Sequence, residues 1–365
     1  MTPPDALQAA SPGAPPARPP RSIVLAAAVL GLGCLGFAAR AMLGPEPETP
    51  SAGGAGNRGD GRSRVVVKDP RFGVDAKPRI EALRDRFTRG LLSLRLADGS
   101  FSPQPSNPDL DEVSRTEATA MAVAGLCAAR WAGSKVDGLD AAIAVAKKAL
   151  LSKQAKNGEF GAPSRTNRAV TVAALSSATL ALCLAGDAAD SNAVDEAGKA
   201  LLAETTLGAV SAPWARGISA VAALALYGTG HAKALGASIA PLLPTLDLPK
   251  VRDAADGRVV EAFVRRALKS PADAYPAEIL AKCLEVGARW GGDRTDMYSW
   301  SLRAWLASRT PGGDAWFVAV LPALEKAPDT AGVIVGDFYG DPVSRTACGL
   351  LILLEGWTPQ LPFGG

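Results

Sequence analysis

The sequence predicts an all-α protein in which inner and outer helices alternate around a ring, and three observations predict it. First, a tight Gly-x-Phe turn followed by Ser-Arg-Thr returns three times. The copies read Asp98-Gly99-Ser100-Phe101 with Ser114-Arg115-Thr116, Asn157-Gly158-Glu159-Phe160 with Ser164-Arg165-Thr166, and Gly336-Asp337-Phe338 with Ser344-Arg345-Thr346. Gly99 and Gly158 are 59 residues apart and Gly158 and Gly336 are 178 apart, close to three such steps; a fixed period of this length marks a repeat architecture. Second, runs that are apolar on one helical face alternate with runs that are apolar on every face. Third, one segment near the N-terminus has the length and composition of a membrane span.

Composition bounds the function. Aromatic residues make up only 5% of the 365, so the bulk of a 48% hydrophobic chain comes from Ala, Leu and Val. The net charge is +3, from 39 basic and 36 acidic residues, and no block of five like charges forms a stripe for a polyanion, which argues against nucleic-acid binding.

Residues 1–21 are rich in Pro and Ala and read as a disordered tail. Between Arg21 and Arg40 lie 17 consecutive uncharged residues from Ile23 to Ala39, and Ala41-Met42-Leu43 extend them to the roughly 20 needed to cross a bilayer. Residues 22–43 are therefore expected to be a transmembrane anchor. Two rivals stand beside this reading: Ala39-Arg40-Ala41 as a small-x-small cleavage site, and Gly31-Leu32-Gly33-Cys34 as a loose lipoprotein signal. Arg18 and Arg21 ahead of the span nearly balance Arg40 and Arg58 beyond it, and the expectation is a folded domain outside the cytoplasm. Residues 44–74 form a flexible linker, and the folded domain runs over 75–365.

Within that domain, residues 79–96 carry Ile80, Leu83, Phe87, Leu91 and Leu94 at spacings of three and four, the pattern of a helix with one wet face. Further outer helices are expected at 139–153, 193–204, 258–269 and 316–325. Inner helices, apolar all round and hence buried, are expected at 118–129, 169–185, 218–227, 277–289, 298–307 and 346–354. Residues 169–186 are uncharged over 18 positions; their Thr171, Ser176, Ser177 and Thr179 favour a buried inner helix over a second membrane span. In each turn Gly supplies backbone freedom, Phe an aromatic plug, Ser or Thr a cap for the next helix, and Arg a partner for helix carbonyls or a carboxylate.

Cys34 lies in the anchor, and Cys127, Cys183, Cys283 and Cys348 sit singly inside apolar runs, so no disulfide framework is expected; buried thiols fit better.

These features resemble the α/α toroids of the prenyltransferase and squalene-cyclase repeat superfamily. Lys148, Leu150, Gln154, Gly158 and Phe160 are similar to its QW element, with Phe in place of Trp; the first copy keeps Leu91, Gly99 and Phe101 but has Arg95 at the Gln position. Asp296-Met297-Tyr298-Ser299-Trp300, Trp305, Gly312-Gly313-x-x-Trp316, Gly336-x-Phe338 and Thr346-Ala347 with residues 350–355 are similar to the last units of bacterial membrane-anchored squalene-oxidase-repeat proteins. The resemblance covers residues 78–365 and implies a toroid of about five to six helix pairs, with Trp214-Ala215-Arg216-Gly217 near the expected phase of a degenerate turn.

The resemblance also names the chemistry to look for. Cyclases of the superfamily use an Asp-x-Asp-Asp cluster; the nearest match is Asp109-Leu110-Asp111-Glu112, directly before an expected helix N-terminus where carboxylates are favoured anyway. Protein prenyltransferases use Asp, Cys and His on zinc, and the chain has one His, His231. The Cys-Gly-x-Gln of thioester domains is missing, as are nucleotide-binding and hydrolase fingerprints. For glycan chemistry the cleft candidates are Glu117, Asp293, Asp296, Tyr298, Trp300, Trp305 and Asp341, although Tyr and Trp at helical spacing are more often core. With the repeat intact and catalytic signatures missing, the expectation is a non-catalytic binding or scaffold domain for a peptide, lipid or glycan, without metal or cofactor. The alternative is a divergent cyclase or glycan-acting enzyme.

Overall fold

The computed structural model describes residues 72–103, 112–161, 168–206, 297–308, 312–335 and 340–357, with parts of 218–231 and the single residues 284 and 310. All belong to the compact unit Arg62–Gly365. The tail, the anchor at 22–43, most of the linker and the expected helices at 258–269 and 277–289 lie outside the described residues, apart from Leu284.

The described part is all-helical. Outer helices are α1 (Lys77–Ser93), α3 (Leu139–Leu151), α5 (Ser191–Thr206) and α7 (Asp314–Lys326); inner helices are α2 (Glu112–Trp131), α4 (Arg168–Ala185), α6 (Met297–Ser308) and α8 (Pro342–Trp357). Described residues between 218 and 226 are also helical. Among the described residues there is no strand, and no helix is long and apolar enough to cross a membrane.

Burial separates the two layers as the periodicity predicts. In α1, Ile80, Leu83, Phe87 and Leu91 are buried, while Arg79, Ala82 and Arg89 reach solvent. In α4 every residue from Thr171 to Ala185 is buried, which is why an uncharged run of this length sits inside a protein. α6 packs on α8, α8 on α2, and α2 on α4; next to α4, the Ser176 and Ser219 hydroxyls meet at 3.0 Å. The packing is close because the facing residues are small: a Cβ on Gly125 of α2 would stand 2.7 Å from the Ala347 Cα of α8. Neighbouring inner helices are also tied near their C-terminal ends, where Trp131 Nε1 donates to the Leu184 carbonyl at 3.2 Å and Ser308 Oγ to Glu355 Oε2 at 2.9 Å.

The same turn recurs three times among the described residues. Isolated antiparallel bridges join Arg95 to Phe101, Gln154 to Phe160 and Pro328 to Ile334. The backbone bonds repeat as well: Gly99 N–H donates to Leu96 O, Gly158 N–H to Ala155 O, and Gly332 N–H to Asp329 O. A third copy of this bonded turn among the described residues is Gly332-Val333-Ile334, while the expected copy Gly336-Asp337-Phe338 lies outside the described residues. Gly99, Gly158 and Gly332 have φ of 85°, 85° and 94°, a backbone that favours glycine, and Phe101, Phe160 and Ile334 are all buried plugs. Gly158 and Gly332 are 174 residues apart, three steps of 58.

In the two described copies Ser-Arg-Thr does not precede its helix as a cap, since Ser114 lies inside α2 and Ser344 inside α8; Ser164-Arg165-Thr166 lies outside the described residues. Phe101 N–H donates to Thr119 Oγ1 and Ile334 N–H to Thr346 Oγ1, each at 3.0 Å. Thr346 therefore matches Thr119 rather than Thr116, whose hydroxyl donates back to the Glu112 carbonyl of its own helix. α8 is capped by Asp341, which accepts the Ser344 N–H at 2.9 Å and the Ser344 hydroxyl at 2.6 Å.

Each of the three turns leans on the outer helix of another pair. A Cβ on Gly99 would meet Val145 of α3, one on Gly158 the Glu196 backbone of α5, and one on Gly332 the Arg86 backbone of α1. Gln154, the residue resembling the QW glutamine, ties its turn to the same neighbour by donating to the Ala193 carbonyl at 2.8 Å. For the last turn Arg86 of α1 donates to the Asp329 carbonyl at 2.5 Å, and Arg79 of α1 forms a two-point ion pair with Glu325 of α7 at 2.8 and 2.6 Å. Phe72, just ahead of α1, completes this seam: it stacks edge-on against Phe317 at 4.9 Å and fills the space beside Gly356.

Candidate functional site

Where the first turn, the start of α2 and the end of α3 meet, they leave a cavity of about 260 Å³. The turn contributes Asp98 and Ser100, α2 contributes Glu112, Arg115, Thr116 and Thr119, and α3 and the residues after it contribute Ala149, Leu150, Ser152 and Lys153. Thr116 and Thr119 share a face with Glu112 and Arg115 because side chains three and four apart on a helix lie together.

Most polar atoms in the cavity wall are committed. Asp98 Oδ1 accepts the Ser100 N–H at 2.9 Å and the Ser100 hydroxyl at 2.6 Å, while Oδ2 faces Arg115 Nη2 at 3.4 Å. The Ser100 hydrogen bonds, helped by the Arg115 charge, hold the Asp98 carboxyl below its usual range. Arg115 Nη2 also reaches Ser100 Oγ at 3.1 Å, so the arginine of the first Ser-Arg-Thr does find the carboxylate that the sequence suggested. Its Nε is buried and has no hydrogen-bond partner among the described residues. Lys153 Nζ pairs with Glu112 Oε1 at 2.9 Å, with both side chains about half exposed, at 50% and 45%; such a pair is worth little and opens readily.

Of the acidic run expected to do chemistry, Asp109 and Asp111 lie outside the described residues and Glu112 is the exposed first residue of α2. Asp293 and Asp296 are also outside. Trp300 is 2% exposed and stacks edge-on against Trp316 at 6.4 Å; Trp305 is 6% exposed and Tyr298, half-buried, packs on the same core. These rings lie among protein side chains rather than along an open cleft. Glu117 is half-buried on α2, and Asp341 is the helix cap described above.

His231 places Nδ1 2.8 Å from Asp195 Oδ1. Among the described residues no three His, Cys, Asp or Glu side chains gather where a metal ion could be held. Cys183, near Thr229, and Cys127 are buried, and burial pushes both thiols up to about 12, far from nucleophilic range.

Sequence reasoning passed over Lys153 and Thr119 as cavity residues. The signal for Thr119 was present: it stands four residues after Arg115, on the same helical face. Lys153 meets Glu112 only through the folding of the intervening pair, and no local spacing announces that.

Comparison of the chain with protein-family models, curated proteins and solved structures finds no match.

Proposed function

We propose that residues 75–365 close into an α/α toroid of the prenyltransferase and squalene-cyclase repeat type, and that this ring is a binding or scaffold domain, held at the membrane by residues 22–43 and facing the extracytoplasmic side. The observation that carries the ring is the seating of the turns. Gly99 leans on α3 and Gly158 on α5, each the next outer helix, and Gly332 of the last pair leans on α1, the first. A linear stack would leave its last turn without such a neighbour.

Binding is favoured over catalysis by the state of the polar groups. Among the described acid candidates Glu112 is exposed and ion-paired, Asp341 caps a helix and Glu117 is only half-buried, and the aromatic candidates Trp300 and Trp305 are packed as core. A cyclase needs an acid kept protonated by burial and a shielded apolar chamber.

The test is turnover against retention. Full-length protein from detergent-solubilised membranes is incubated with squalene, a polyprenyl diphosphate and a peptidoglycan fragment, and separately analysed by native mass spectrometry. The expected result is no product above a heat-inactivated control, together with a ligand retained in one-to-one ratio. Product formation abolished by Asp111→Ala or Glu112→Gln, in a variant that melts like the parent, establishes the enzyme alternative instead.

A further inference from the structure

We infer that the cavity between the first turn, α2 and α3 is a binding site for a small oxyanion, the carboxylate or phosphate group of a ligand, with Arg115 and Lys153 as its recognition residues. The inference rests on the reading of this domain as a binding module and names the chemistry it would bind.

The argument is one of leftover hydrogen-bonding capacity. On the acceptor side, Asp98 is engaged within the protein: one oxygen takes two bonds from Ser100 and the other faces Arg115. The Thr116 and Thr119 hydroxyl hydrogens go to backbone carbonyls of their own helix at 2.7 and 2.8 Å, so neither is spare for a ligand acceptor. On the donor side, both contacts of the Arg115 guanidinium fall on Nη2, and Nε is left buried with no partner among the described residues. Nε is covered by protein, so the donor left for an incoming anion is Nη1, which makes no hydrogen bond among the described residues. Because Nη2 is fastened to the turn, the guanidinium is oriented before a ligand arrives, and orientation is what a planar oxyanion requires.

Lys153 supplies the second cation. Its ammonium has three donors, and Glu112 Oε1 is a half-exposed partner that can swing into solvent at little cost. With Glu112 withdrawn, the cavity presents two cations against one engaged carboxylate. Ala149 and Leu150 line the same space and offer an apolar wall to the carbon skeleton carrying the anion. A volume of about 260 Å³ equals the share of roughly nine liquid waters, room for an amino-acid-sized group and too little for a polyprenyl chain.

The experiment titrates the full-length protein with succinate and, separately, with methyl phosphate, by isothermal calorimetry at low ionic strength. Saturable one-to-one binding is expected with at least one of them, weaker at higher salt; the stronger of the two identifies whether carboxylate or phosphate is the natural group. Arg115→Gln should weaken it about tenfold or more, the loss of one charge-assisted hydrogen bond. Lys153→Gln, on the exposed rim, should weaken it with no change in melting. Lys199→Gln, which removes an exposed cation on α5 that is not part of the cavity wall, should leave it unchanged.

No saturation with either compound overturns the inference, as does equal binding by the parent, Lys153→Gln and Arg115→Gln. The two readings fail separately. Equal destabilisation by Gly332→Ala and Gly133→Ala with anion binding intact removes the toroid alone; greater destabilisation by Gly332→Ala without anion binding in the parent removes the site alone.

Discussion

Replacing Gly332 by Ala tests whether the last turn seats on the first outer helix. Two penalties combine there. At φ +94° any residue with a Cβ is strained, at a cost of roughly 1–2 kcal/mol. The new Cβ would also stand less than 3.0 Å from the Arg86 carbonyl group, a backbone that cannot rotate away, and forced overpacking adds about 1–3 kcal/mol. The expected loss is therefore about 2–5 kcal/mol. Gly133 provides the matched control: its φ is +80° and nothing lies within 4 Å of its Cβ position, so Gly133→Ala carries only the first cost, about 1–2 kcal/mol. Urea unfolding of both variants, followed by helical circular dichroism, measures the difference, and a scanning melt should show about 2–4 °C lost per kcal/mol. Equal destabilisation by the two substitutions would refute the claim that Gly332 is wedged against α1.

Three further outcomes are expected. Thr119→Val and Thr346→Val each strand a buried backbone N–H, of Phe101 and Ile334, and should cost about 1–3 kcal/mol; Thr116→Val, which loses only a bond within its own helix, should cost less, all read by the same urea series. Cys127 and Cys183 should resist a thiol reagent at pH 8 until the protein is unfolded. Because their folded thiols titrate near 12 and unfolded ones near 9.0, the stability they contribute is complete below pH 9 and falls as pH rises toward 12. Ser100→Ala should raise the Asp98 carboxyl toward its ordinary 3.8, as followed by NMR titration. Since a depressed carboxyl stabilises the fold above its unfolded value and loses that contribution as pH falls, the variant should show a flatter acid limb than the parent.

The layering of the helices was legible in the sequence because burial imposes a period, and the period of 79–93 differs visibly from the uncharged run of 171–185. The third turn was not legible. Gly336-x-Phe338 repeats the letters of Gly99-x-Phe101, whereas Gly332-x-Ile334 repeats its hydrogen bonds; the bridge needs a positive φ and a bulky apolar plug, and Ile serves as well as Phe. Ser-Arg-Thr misled for a related reason. The connection from turn to inner helix is longer in the first pair than in the last, so the threonine that receives the turn's N–H lies 18 residues after Phe101 but 12 after Ile334. The cavity was half legible: Glu112 and Arg115 stood out from their motifs, while Lys153 acquires meaning only once α3 has folded back along α2.

Phe72 gives the domain a mechanical character. The chain enters the fold by wedging one ring between Phe317 and the bare backbone at Gly356, on the last helix pair. A pull on the polypeptide ahead of Phe72 is therefore a pull on α7 and α8, the same pair that Arg79 and Arg86 clasp from α1. Load and latch coincide: strain delivered along the chain from its N-terminal side arrives where α1 meets α7 and α8, and Phe72→Ala removes one of the contacts that hold that seam.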